Sequence, residues 1–176
     1  REYSYEEYME AVIETYLQYR KGVQEGKLAD IVRIVVAVQS EFVYRYTGDL
    51  IKELKQEGYY IIEISQSPKT ILYEFCSQYG FDKVYGRIYE IGPQDCFTGV
   101  VHDEHLIKNK ANIVKRIFDR NPELTSKNSV AVGDTDGDIT LLEQVEKPIC
   151  FNPNKVLYSY AKRSDWKVVV ERKDVI

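Results

Sequence analysis

The hydrophobic pattern changes character near residue 47. Before that point apolar positions recur only at helical spacing. Tyr8, Val12, Tyr16 and Tyr19 predict a first helix. Ser4, with Glu7 three residues on, has the spacing of a capping box at its start. "KGVQEGK" at 21–27 interrupts the pattern with two glycines. A second helix is predicted over 28–43, with Ile31, Ile34, Val35 and Val38 on one face. A stripe of this kind is expected to pack into a core.

From 47 onward helical and strand-like segments alternate. "DLIKELKQEG" (49–58) reads as a helix closed by Gly58, and "YYIIEIS" (59–65) as a strand. "SPKTILYEFCSQYGF" (67–81) reads as a helix with Pro68 in its first turn. "VYGRIYEI" (84–91) and "CFTGVV" (96–101) form a hairpin pattern around "GPQD". "NKANIVKRIFDR" (109–120) is an amphipathic helix, and "SVAVGD" (129–134) a short buried strand followed by a helix near 137–146. "KPICFNP" (147–153), "KVLYSYAKRS" (155–164) and "WKVVVE" (166–171) continue as strand, helix and strand. This order predicts an α/β fold, a parallel sheet with helices on both faces.

Composition narrows the classes. The 176 residues suit one domain, or one core with a modest insertion. Acidic residues number 28 against 24 basic ones, so a nucleic-acid partner is not expected. The longest apolar run, "IVRIVVAV" (31–38), is too short to span a bilayer and contains Arg33. "REYSYEEY" does not resemble a signal peptide, and no membrane partner is expected. Cys76, Cys96 and Cys150 show no CxxC spacing, which points to a reducing cytoplasm rather than a disulfide framework. The oligomeric state is left open.

The candidate chemistry begins at "AVGDTDGDIT" (131–140), which sets Asp134, Asp136 and Asp138 at alternate positions. A calcium loop started at Asp134 would need glycine at its sixth position and glutamate at its twelfth, and this chain has Ile139 and Val145 there. Asp134 instead falls at the carboxyl end of a predicted strand and Asp138 in the first turn of the next helix. Ligands of open α/β sheets bind at such strand ends, and Mg²⁺ takes one or two carboxylates beside a phosphate. A helix cap accounts for the same residues equally well. Ser65 ends another predicted strand before a helix, where its hydroxyl and the following N–H groups suit either an anion or a cap. Lys110 opens a helix, against the helix dipole, which suits a lysine facing a phosphate, with a solvated surface lysine as the plain alternative.

A strand ending in Ser65, a helix-initial Lys110 and "GDTDGD", in that order, resemble motifs two, three and four of the haloacid dehalogenase superfamily. "LIKELKQEGYYIIEISQSP", "YGFDKVYGRIYE", "CFTGVV" and "KNKANIVKRIF" are similar to its phosphoserine-phosphatase-like branch. The resemblance implies a Rossmann-like three-layer core over 47–176 and a small helical cap over 1–46. It implies an Mg²⁺-dependent phosphomonoesterase acting on a small phosphorylated metabolite. Ser65 and the backbone N–H of Gln66 would bind the phosphoryl group, and Lys110 would neutralise charge on it. Asp134 would bind Mg²⁺, and Asp138 would bind it or orient its waters and Lys110. Asp136 matches no required position.

One departure matters. The family's nucleophile and general acid/base lie in a DxDx[TV] motif on a strand that precedes the cap. Residues 1–46 contain no such motif, and "DTDGDIT", despite a superficial likeness, follows Lys110. The expectations are a sheet split between the strands of motifs two and four, a longer natural protein, and no turnover by these residues alone. Two rival readings remain: a non-catalytic binding or scaffold module, and a cation sensor using the three aspartates. "HDEH" (102–105) reads as a solvated loop rather than a zinc site, and the cysteines as unactivated.

Overall fold

The computed structural model describes residues 5–102 and 104–172. Ser4 of the expected capping box and Asp103 of "HDEH" lie outside the described residues. In chain order the elements are α1 (Tyr5–Arg20), α2 (Glu25–Gln39), α3 (Arg45–Gln56), β1 (Ile62–Pro68), α4 (Lys69–Gln78), β2 (Lys83–Ile91), β3 (Phe97–His102), α5 (Glu104–Lys108), α6 (Lys110–Arg120), β4 (Val130–Gly133), α7 (Ile139–Leu142), β5 (Lys147–Phe151), α8 (Lys155–Arg163) and β6 (Lys167–Val169). They form two compact units, one from Arg1–Phe42 and Ile61–Glu104, the other from Val43–Tyr60 and His105–Ile176. No described helix is long and apolar enough to cross a membrane.

In the first unit β1 pairs parallel with β2, and β2 pairs antiparallel with β3 through the expected hairpin. Gly86 lets α4 approach β2: a Cβ there would stand 2.8 Å from the Lys69 Cα and 2.7 Å from the Leu72 Cδ1. Val32, Val36, Cys76, Val84, Tyr89 and Phe97 are buried. Burial, then the charge of Glu63, pushes the Cys76 thiol up to about 12, so it behaves as a small core residue.

Three expectations for this unit are corrected. The predicted core stripe of α2 faces outward: Ile31, Ile34, Val35 and Val38 are all at least half exposed, and Val32 and Val36 are buried instead. The helix is apolar on most sides, "LADIVRIVVAV", so periodicity reveals stripes without choosing the covered one. On α1 Tyr8, Val12 and Tyr19 are likewise exposed. Tyr16 meets Tyr89 edge-on and accepts from the buried Arg20, whose guanidinium lies 3.5 Å from the Phe97 ring centre. Finally, β1 runs on to Pro68, which is extended and precedes α4 rather than sitting in its first turn. Ser65 therefore lies inside β1, where pairing with β2 shifts register between Ile64 and Pro68.

In the second unit β4, β5 and β6 form a parallel sheet. Leu142, Cys150, Leu157 and Ala161 form a buried cluster, with Ala131, Ile139, Trp166 and Val168 packed against it. β4 is less buried than its composition suggests. Ala131 turns to that cluster, and Val132, on the opposite face of the pleat, is exposed. The helix expected near 137–146 is a 3₁₀ turn, Asp136–Asp138, followed by the four-residue α7. Tyr44 supplies no side-chain cap to α3. The first N–H groups of that helix, from Arg45 and Tyr46, donate to the Glu171 carboxylate at 2.8 Å each. Glu171 is fixed by paired hydrogen bonds of 2.9 Å between its backbone and the Asn152 side chain.

The strands make two separate three-stranded sheets, β1-β2-β3 and β4-β5-β6. Among the described residues no strand pairs with the other edge of β1 or of β4.

Candidate functional site

Three of the expected site residues meet in the second unit. Asn109 caps α6 by accepting from the N–H of Asn112, which places Lys110 at the first helical position. The Lys110 Nζ reaches the Asp138 Oδ1 at 2.5 Å. The lysine side chain is 17% exposed and the carboxylate 3%. The other Asp138 oxygen, Oδ2, accepts from the backbone N–H of Asp134 and of Thr135, both at 3.1 Å, and from the Thr135 hydroxyl. Asp138 is thus both a salt-bridge partner and the cap of the turn that carries Asp134. Burial pushes its carboxyl up. Lys110 and the loop N–H groups outweigh that, and hold it below the usual carboxylate range.

Asp134 differs. It follows Gly133 at the end of β4 and stays exposed as a residue. Partial burial of its carboxyl, then the charge of Asp138, raises its pKa against the pull of Lys110. Two carboxylates face one ammonium. That donor set of hard oxygens with surplus negative charge fits a divalent cation completed by water and phosphate. Among the described residues no three His, Cys, Asp or Glu side chains converge to hold a metal. Asp138 already takes four donors, so Asp134 is the carboxylate with capacity for a cation.

Gly133 makes this arrangement possible. A Cβ there would stand 2.5 Å from the Asp138 Cβ and 2.9 Å from its Cγ. Gly133→Ala is expected to cost about 1–3 kcal/mol through overpacking and to displace Asp138 from Lys110. Urea denaturation reads the first effect. A change in the Lys110 side-chain NMR signals reads the second, and an unchanged pair would contradict it.

Ser65 and Gln66 lie in the first unit. The Ser65 Oγ accepts from the Ser67 N–H at 3.1 Å, a local turn of the kind a serine makes to its own backbone. The Gln66 side-chain oxygen accepts from the buried Arg87 at 3.4 Å. His102 and His105 are both exposed, at the end of β3 and in α5.

The sequence reading missed two partners. Asn154 donates its backbone N–H to the Asp134 carbonyl at 2.8 Å and its amide to Asp136 at 2.6 Å. Asp136, which matches no required position of the family, is exposed but held. Arg87 beneath Gln66 was not foreseen either. The sequence around Asn154 carries no sign of a contact 18 residues back.

The inhibition of morphological differentiation protein of Streptomyces azureus is 24% identical over 127 residues, covering 72% of this chain and 46% of the relative. The chain thus spans about half the length of the curated relative it matches. A protein with unknown function from Bordetella pertussis Tohama I has the same fold at TM-score 0.68 and 18% identity, covering 89% of this chain and 72% of that one. A phospho-aspartyl intermediate analogue of phosphoserine phosphatase does so at TM-score 0.57 and 24% identity, covering 73% and 58%. The haloacid dehalogenase-like hydrolase family matches residues 1–143, a span that runs from α1 through Lys110 and the whole Asp134–Asp138 loop. A match of that extent, over a fold and a loop of this kind, shows that the chain belongs to the haloacid dehalogenase-like hydrolase family.

Proposed function

We propose that this chain carries the phosphate- and metal-binding part of an Mg²⁺-dependent phosphomonoesterase for a small phosphorylated metabolite. The observation that carries the reading is the Lys110–Asp138 pair beside Asp134. A cation locked by one buried carboxylate, next to a second carboxylate with capacity for metal, suits phosphoryl transfer. That chemistry rests on positioning and charge stabilisation.

In this proposal Asp134 holds Mg²⁺, which supplies positive charge against the phosphate oxygens. Asp138 fixes Lys110 and the loop. Lys110 offsets negative charge as the phosphoryl group transfers. Ser65 donates its hydroxyl, and Gln66 its backbone N–H, to phosphoryl oxygens. Residues 1–46 act as a helical cap that excludes water from the reacting phosphate. The nucleophilic aspartate belongs to a DxDx[TV] strand ahead of the cap, so residues 1–176 alone release no phosphate. The phospho-aspartyl state named for the similar phosphoserine phosphatase supports this chemistry, and phosphoserine is the first substrate to try.

The test is phosphate release from a panel of phosphomonoesters, with and without Mg²⁺, by the natural protein that carries this DxDx[TV] strand, with residues 1–176 alone as a comparison expected to release none. Mg²⁺-dependent turnover is expected. Asp134→Asn and Lys110→Ala should each lower kcat/KM by about 10³-fold, the scale of losing a preorganised charge stabiliser. No Mg²⁺-dependent release, or release indifferent to both changes, would sink the proposal.

A further inference from the structure

We infer that Asn154 is a positioning residue for the loop that presents Asp134 to a divalent cation, acting through a latch to Asp136. The inference rests on the Mg²⁺ reading above and adds a residue that reading does not use.

Besides the helical bond its carbonyl accepts from the Tyr158 N–H, Asn154 makes three contacts with three different atoms. Its side-chain oxygen accepts from the Leu157 N–H at 2.8 Å and so caps α8. Its backbone N–H donates to the Asp134 carbonyl at 2.8 Å. Its amide nitrogen donates to the Asp136 carboxylate at 2.6 Å. A capping role accounts only for the first. The other two grip the Asp134 loop on either side of Thr135. Asp138 holds the same loop from within, through the N–H groups of Asp134 and Thr135.

The loop is therefore pinned at both ends of its peptide groups. Asp138 takes the N–H groups and Asn154 takes a carbonyl and the next carboxylate. The anchor behind Asn154 is rigid, because Leu157 is fully buried in the core cluster. The latch also occupies Asp136. With its charge engaged by Asn154, Asp136 is turned to α8 and Asp134 is left as the loop's carboxylate for metal. Outer-sphere groups of this sort commonly change metal affinity by about 10–100-fold when removed.

Asn154→Asp separates latch from cap. It keeps the backbone N–H and a cap acceptor but sets a carboxylate against Asp136. The reciprocal exchange, Asn154→Asp with Asp136→Asn, restores a donor and an acceptor with their places swapped. Mg²⁺ binding to the full chain is measured by calorimetry, and folding by thermal denaturation. Asp134→Asn serves as the control for the metal reading itself.

The expected result is that Asn154→Asp weakens Mg²⁺ binding about 10-fold with its melting temperature kept, and that the exchange restores most of the affinity. Unchanged affinity in Asn154→Asp overturns the inference. So does a loss that the exchange fails to restore, which would make Asn154 a cap alone. If the unaltered protein binds no Mg²⁺, or Asp134→Asn binds it equally well, the metal reading fails first and the inference falls with it.

Discussion

Lys110→Met is expected to lower stability by about 3 kcal/mol at neutral pH, the scale of removing one partner of a buried ion pair. The substitution keeps most of the side chain's bulk and deletes its charge. Asp138 then stays almost fully buried with only the loop N–H groups and the Thr135 hydroxyl to hold it. The pH dependence has a definite sign. In the unaltered protein the Asp138 carboxyl lies below its ordinary range. Its contribution is complete above the ordinary aspartate value of about 3.9 and is lost as pH falls through the lower folded value. Without Lys110 the main lowering influence is gone, and burial pushes the carboxyl up. Protonation then relieves the buried charge, so the deficit should narrow between about pH 7 and about pH 4. Urea denaturation at both values checks this. A deficit below about 1 kcal/mol at neutral pH would mean that the pair behaves as a surface bridge.

Leu157→Ala should cost a similar amount, about 2–5 kcal/mol, for a different reason. Leu157 is 0% exposed and packs with Leu142, Cys150 and Ala161. Truncation removes apolar contacts and leaves a cavity that the short α7 and the parallel strands can close only in part. The neighbouring Val156, 57% exposed on the same helix, provides the contrast. Val156→Ala should fall within about 0.5 kcal/mol of the unaltered protein. Denaturant midpoints of the two variants separate burial from helix propensity. Equal losses would contradict the packing assignment.

What could be read from the chain depended on how local each cause was. Lys110 at a helix start, and Asp134 and Asp138 around a strand-to-helix turn, are set by neighbours in sequence, and their elements follow from period and turn residues. The hairpin around "GPQD" is local in the same way, with Gln94 and Asp95 at positive φ. Choosing the covered face of α2 is not local. Several apolar stripes run along that helix, and only the partner packed against it selects Val32 and Val36. The burial of Arg20 and Arg87 was illegible for a related reason. A charged residue is assigned to the surface by default, and the rings around Arg20 come from residues up to 77 positions away in β2 and β3. Pro68 misled through its usual place in a first helical turn. Here its extended ψ of 128° keeps it in the strand.

The contact of Glu171 with α3 sets an order of events. The 12 residues of α3 are too few to form a lasting helix alone in water, and its first two N–H groups wait for a carboxylate 126 and 125 residues further along. During synthesis the helix leaves the ribosome long before its cap exists. That cap requires Glu171, which Asn152 holds in the folded unit. The start of α3 is thus secured by a residue made 126 positions later than Arg45, so a chain cut short of Glu171 should carry a frayed α3.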